Sequence, residues 1–132
     1  MYEKKLFAEL QKRFPEINFS EDEMELTNLL FHQIVSDWLL LTEVNCTDSK
    51  VIKRIVSLQQ WCLLQIQDNN DEANQIIYTP YIVSLYETLF QYKKTQPLIP
   101  YLSTKQEILD NEQYLRTWCG NKKYKQVLQL FK

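Results

Sequence analysis

The stretch EDEMELTNLLFHQIVSDWLLL, Glu21 to Leu41, decides how the rest of this 132-residue chain is read. Its larger part carries Leu29, Leu30, Phe31, Ile34, Val35, Trp38, Leu39, Leu40 and Leu41. Three and then four of these are consecutive, so they cover more than one helical stripe, and a helix apolar round most of its circumference is packed on several sides. Such a helix belongs at the centre of a bundle. Ser20, three residues ahead of Glu23, spells a capping box, with Phe19 and either Met24 or Leu26 as a hydrophobic staple. The acids Glu21, Asp22, Glu23 and Glu25 then meet the positive end of the helix dipole. Capping does not explain why no Lys or Arg occurs from Glu16 to Asp48, against eight acids that include Asp37.

Outward from this stretch, the same periodicity recurs. Leu6, Phe7, Leu10 and Phe14 form one stripe of a helix over Tyr2 to Phe14, which Pro15 stops because proline disfavours the α conformation in the residue ahead of it. Asp48 or Ser49 caps a third helix bearing Ile52, Ile55, Val56, Leu58, Leu63 and Ile66. The cations Lys50, Lys53 and Arg54 in its first turn oppose the dipole, which points to pairing with the acids of the preceding segment. Asp68-Asn69-Asn70-Asp71 reads as a loop followed by a cap.

Ile76 to Val83 has strand propensity, but Pro80 lacks the donor that a central strand needs. Thr79-Pro80 fits instead as a cap and first helical residue, giving a fourth helix to about Lys94 with Ile82 or Val83, Leu85, Tyr86, Leu89 and Phe90 inward. Thr104 and Glu107 offer a second capping box, for a helix through Leu115 and Trp118 that Gly120 ends in the left-handed conformation. Asn121 caps a last helix with Tyr124, Val127, Leu128 and Phe131 inward. The expectation is therefore all-α: one domain over residues 1–132, a compact bundle of five to six helices around Glu21 to Leu41. The alternative is α+β, with a short strand near Ile76 to Val83. The tripeptide Ile-Val-Ser recurs at Ile34, Ile55 and Ile82, but at unequal intervals, and shared helix-core composition explains it more simply than a repeat.

Composition narrows the function. A single glycine leaves little means of building a phosphate-cradling loop, where backbone must approach the ligand closely. Cys46, Cys62 and Cys119 are widely spaced and accompanied by one histidine, whereas a zinc site needs four ligands held together. No metal and no cofactor is expected, and the cysteines read as free thiols of a reducing compartment. No leader pattern opens the chain and no apolar run approaches a bilayer-spanning length, so the expectation is a cytoplasmic protein without membrane contact.

His32 would lie near Asn28, Leu29, Val35 and Ser36 on its own helix, with no Cys or Asp at the spacing of a nucleophilic site, and reads as a packed or surface residue. The acids of one helical turn face water in different directions and read as a solvated face rather than a catalytic pair. Arg116, Lys122, Lys123 and Lys125, with Trp118 and Tyr124 between them, form the one cluster suited to an anion or nucleic acid. The net charge of −2 argues against nucleic acid as the main partner.

What remains is a non-enzymatic protein-binding module, monomer or homodimer, that meets a basic partner through Glu21, Asp22, Glu23, Glu25 and Asp37. In size and charge alone the chain resembles bacterial immunity or antitoxin-type proteins, and the resemblance implies neutralisation of a basic enzyme by carboxylates. The alternative is a nucleic-acid-binding protein or an enzyme working through Arg116, Lys122, Lys123 and Lys125. Exposed aromatics mark protein interfaces, and Tyr78, Tyr81, Tyr92, Tyr101 and Tyr114 exceed what a core of this size requires.

Overall fold

The computed structural model of the protein describes residues 2–39 and 49–131, and every regular element among them is helical. The first, α1 (Tyr2–Arg13), buries Leu6, Phe7 and Leu10. Phe14, fully buried, still donates its N–H to the Leu10 carbonyl at 2.9 Å, and Pro15 then ends the helix.

The acidic segment departs from its expected form. Glu21–Glu23 is a single 3-10 turn, and the Ser20 side chain makes no capping bond. The helix itself, α2 (Thr27–His32), starts after Leu26. The capping box fails because the backbone does not run helically from Ser20 to Thr27. Leu26 points outward, 53% exposed, and so is no staple, while Phe19 packs edge-on against Phe7 at 6.5 Å. Beyond His32 the helix widens into a π turn, Gln33–Trp38, closed by the Leu39 N–H on the Ile34 carbonyl. Leu30, Phe31, Ile34, Val35, Trp38 and Leu39 are buried, whereas Leu29 is 44% exposed. Leu40, Leu41 and Cys46 lie outside the described residues.

Helix α3 (Ser49–Gln65) follows, with Val51, Ile55, Leu58 and Cys62 buried and Leu63, expected inside, exposed beside Leu64. At the turn after it, Asp68 takes φ +63°, a left-handed conformation that Asp tolerates better than most residues. Asn70 caps the next helix by accepting the Ala73 N–H at 3.1 Å and donates its Nδ2 to the Tyr2 hydroxyl.

From Asp71 the chain is helical to Gln91. It passes from α4 (Asp71–Ala73) through a second π turn, Asn74–Tyr78, into α5 (Thr79–Gln91). No strand forms at Ile76 to Val83, and Thr79 is no cap. Pro80 sits inside a continuous helix because the π turn just before it loosens the ladder where proline has no N–H to give. The Thr79 N–H reaches back five residues to Asn74. Helix α5 buries Tyr81, Leu85, Leu89 and Phe90 completely, and α2 with its π turn packs along it. Phe31 meets Tyr81 edge-on at 5.6 Å. The centre is thus a pair, α2 with its π turn and α5, rather than one helix. Tyr81, expected among the surplus aromatics, is its largest fully buried side chain.

After Tyr92 turns to extended backbone, a 3-10 turn at Gln96–Leu98 leads into α6 (Ile99–Leu102). The expected fifth helix is broken in two, α7 (Lys105–Asp110) and α8 (Glu112–Cys119), at Asn111, whose φ of −108° and ψ of 22° leave the helix. Thr104 does cap α7, accepting the Glu107 N–H at 3.1 Å. The Glu107 carboxylate does not close the box: it accepts from Ser103 Oγ at 2.9 Å instead. Gly120, at φ +88° and ψ 159°, ends α8 and starts α9 (Asn121–Leu128) in one residue. Asn121 is already helical, and its side chain accepts from Arg116 rather than capping. Tyr124 and Val127 are buried as expected.

Candidate functional site

The acidic turn lies open at the start of the central pair. Glu21, Asp22 and Glu25 are exposed and make no ion pair among the described residues, while Glu23 is half-buried. The Glu23 carboxylate accepts from Gln33 Nε2 at 3.4 Å, so the turn is tied to the π turn. Leu26 and Leu29, three residues apart and therefore neighbours on a helical surface, stand exposed directly after these acids.

Asp37, also exposed, is separated from that turn but linked to it through Gln33, four residues before it on the same face. Both line a cleft of about 200 Å³ together with Glu16, Ile17 and Trp38. Ile17 and Trp38 give it apolar surface, and Glu16 and Asp37 give it carboxylates. Glu16 is committed to Arg54, whose Nη1 and Nη2 each donate to it at 2.7 Å. That bidentate pair holds the Glu16 carboxyl below the ordinary range, against the opposing effect of partial burial. The same guanidinium lies 4.9 Å from the Phe14 ring centroid and 4.7 Å from that of Trp38, and donates to the Arg13 carbonyl at 2.8 Å. One of the three cations at the start of α3 is thus absorbed, by the acid that opens the cation-free stretch.

His32 does acquire partners that its neighbours in sequence do not reveal. Its Nδ1 is 3.2 Å from Ser36 Oγ, and its Nε2 is 3.5 Å from a Glu87 carboxylate oxygen. The Ser36 hydroxyl shares a 2.6 Å hydrogen bond with Thr88, 52 residues away. Serine, imidazole and carboxylate in line are the parts of a nucleophilic triad. Here the serine sits mid-helix, one turn from its own histidine, and its hydroxyl is engaged by Thr88. The row functions as a polar brace between α2 with its π turn and α5. No sequence signal marks it, because the pairing depends on which face of α5 meets α2.

The basic cluster is largely taken up internally. Arg116 donates to Glu112 at 2.7 Å and to Asn121 at 2.9 Å, with its guanidinium 4.5 Å from the Tyr124 ring centroid. Lys123 donates to the Gln91 carbonyl at 3.1 Å. Lys122 and Lys125 are exposed and, among the described residues, make no such bond. Nearby, Tyr114 and Trp118 are exposed one turn apart on α8, and Tyr101 is exposed on α6.

Of the thiols, Cys62 is fully buried, and burial pushes it from 9.0 up to about 12. Cys119 is half-buried, raised by desolvation, and donates to the Gly120 carbonyl at 3.6 Å. Both are free. Among the described residues no three His, Cys, Asp or Glu side chains come together as a metal site would require. No helix among them is long and apolar enough to cross a membrane.

Comparison with known proteins adds no relative. The chain matches no family model, no curated protein and no solved structure.

Proposed function

We propose that the protein is a binding module that docks a basic protein partner on the surface formed by the 3-10 turn and the start of α2. The observation that carries this reading is the adjacency of two unsatisfied features. Glu21, Asp22 and Glu25 are exposed and make no ion pair among the described residues, and Leu26 and Leu29 are exposed immediately after. Exposed leucines rimmed by like charge combine the two components of a protein interface: apolar area for affinity and a field that guides the partner in. The acids have no capping duty that would account for them, since Ser20 caps nothing and the helix begins only at Thr27. A partner that offers lysines and arginines around an apolar groove fits this surface. A bacterial toxin-type enzyme whose own site receives a polyanion has that chemistry.

The test uses two surface variants: Glu21→Gln/Asp22→Asn/Glu25→Gln, and Leu26→Ser/Leu29→Ser. Partners captured from the native cell are identified, and carboxylate-to-lysine cross-links are mapped onto the chain. The expected result is a basic partner whose cross-links fall on Glu21, Asp22 and Glu25. Neutralising those acids should slow its association by roughly tenfold or more at low salt, with little effect at high salt. A partner captured equally by both variants, with cross-links elsewhere, would overturn the reading.

A further inference from the structure

The cleft beside the π turn asks for a donor. Its volume of about 200 Å³ is below the roughly 300–1,000 Å³ of a small-molecule or cofactor pocket, and suits one long side chain. Of the residues that line it, Glu16 and Asp37 offer carboxylate oxygens, and Ile17 and Trp38 offer apolar walls. Gln33 is the fifth. Its Nε2 is engaged by Glu23, and its Oε1 is buried without any hydrogen-bond donor. A buried acceptor left unpaired costs about 1–3 kcal/mol; this one is closed off in the free protein, so a turn of the Gln33 side chain into the cleft is what lets a ligand N–H reach it and relieve that penalty.

The charges agree. Glu16 and Asp37 line the cleft and Glu23 lies against Gln33 behind it; among the described residues the one cation paired with any of these acids is Arg54, held by Glu16. Asp37 has no cationic partner among the described residues.

We infer that this cleft receives an arginine side chain of the basic partner, with its guanidinium donating to Asp37 and to Gln33 Oε1 and its stem lying along Ile17 and Trp38. The inference rests on the protein-binding reading and names the partner's anchoring residue. Arginine fits better than lysine for three reasons. It presents five N–H groups in a plane, it is weakly hydrated and so loses less on entering a cleft, and it packs flat on aromatic walls. Trp38 already receives one guanidinium, that of Arg54, on this fold. The π turn matters as well, since Gln33, Asp37 and Trp38 all belong to it. Single π turns occur often at functional sites.

Titration of the isotope-labelled full chain with N-acetyl-arginine amide, followed by NMR, tests this directly. The uncharged citrulline counterpart and N-acetyl-lysine amide serve as comparisons. The expected result is saturable movement of the Trp38 indole N–H and Gln33 side-chain amide signals with the arginine probe. Binding should weaken at least fivefold in Asp37→Asn and in Gln33→Leu, and the lysine probe should bind more weakly than arginine. Equal binding of citrulline, indifference to both substitutions, or shifts that never saturate would overturn the proposal. The titration involves no partner, so its failure removes the arginine anchor alone. Indifference of partner capture to Glu21, Asp22 and Glu25 bears separately on the docking surface.

Discussion

At the scale of single residues, Arg54 joins α3 to the end of α1, to Glu16 and to the π turn. Its guanidinium lies against Phe14 and Trp38 and is bonded to Glu16 and to the end of α1. The sequence marked it only as a cation at the wrong end of a helix dipole, which identified a residue in need of an explanation without locating its partner. Arg54→Ala should lose the two ring contacts and an ion pair that is largely exposed, together about 1–2 kcal/mol, measured by urea unfolding. Arg54→Lys should recover less than half, because an ammonium cannot donate to both Glu16 oxygens while lying over the rings. Gly120 is the other residue with a sharp expectation. Its φ of +88° is reserved for glycine, although an added Cβ would meet nothing within 4 Å. Gly120→Ala should therefore cost about 1–3 kcal/mol from backbone strain alone, with no steric contribution for a neighbouring truncation to relieve.

At the scale of elements, the apolar stripes were legible and the helix ends were not. Leu6, Phe7, Leu10 and Phe14 fell inside as their spacing implied, because burial follows period. Capping signals misled at Ser20 and Asn121, since a side chain can cap only where the backbone leaves a donor free, and tertiary packing decided where those helices began. Pro80 misled for a related reason: a π turn is not written in a short propensity pattern, and it lets proline lie within a helix. The cap that did form supports a direct check. Asn70→Ala removes the acceptor for the Ala73 N–H and the bond to Tyr2, and should cost about 1 kcal/mol or slightly more. The brace across the central pair supports another. Thr88→Val keeps the shape of a side chain that is 1% exposed but leaves Ser36 with His32 as its remaining partner. A loss of about 1 kcal/mol is expected, and Thr88→Ser should largely avoid it.

At the scale of the whole molecule, the core holds groups that must stay neutral. Burial raises Cys62 from 9.0 and Tyr86 from 10.0 to about 12, and it also raises Tyr81, hydrogen-bonded to Gln59 at 2.8 Å, well above 10.0. Below about pH 9 these groups are protonated whether the chain is folded or not, and their contribution is fully present. As pH rises from there through about 12, the unfolded chain ionises and the folded one resists, so stability falls. Denaturation midpoints followed across that range should decline steeply, and Tyr81→Phe should decline less despite a lower starting point. All-helical character was readable from scarce glycine and helical spacing, and the unneutralised acids were readable as charge. The cleft at Glu16, Gln33, Asp37 and Trp38 was not, because it depends on a turn that carries one residue more than its length along the axis requires. That surplus bears on descent. A sister chain lacking either π turn would differ by a one-residue gap in mid-helix, while the side chains beyond it kept their faces, because the wide turn absorbs the extra residue. Kinship would then be plainer in the path of the backbone than in the letters.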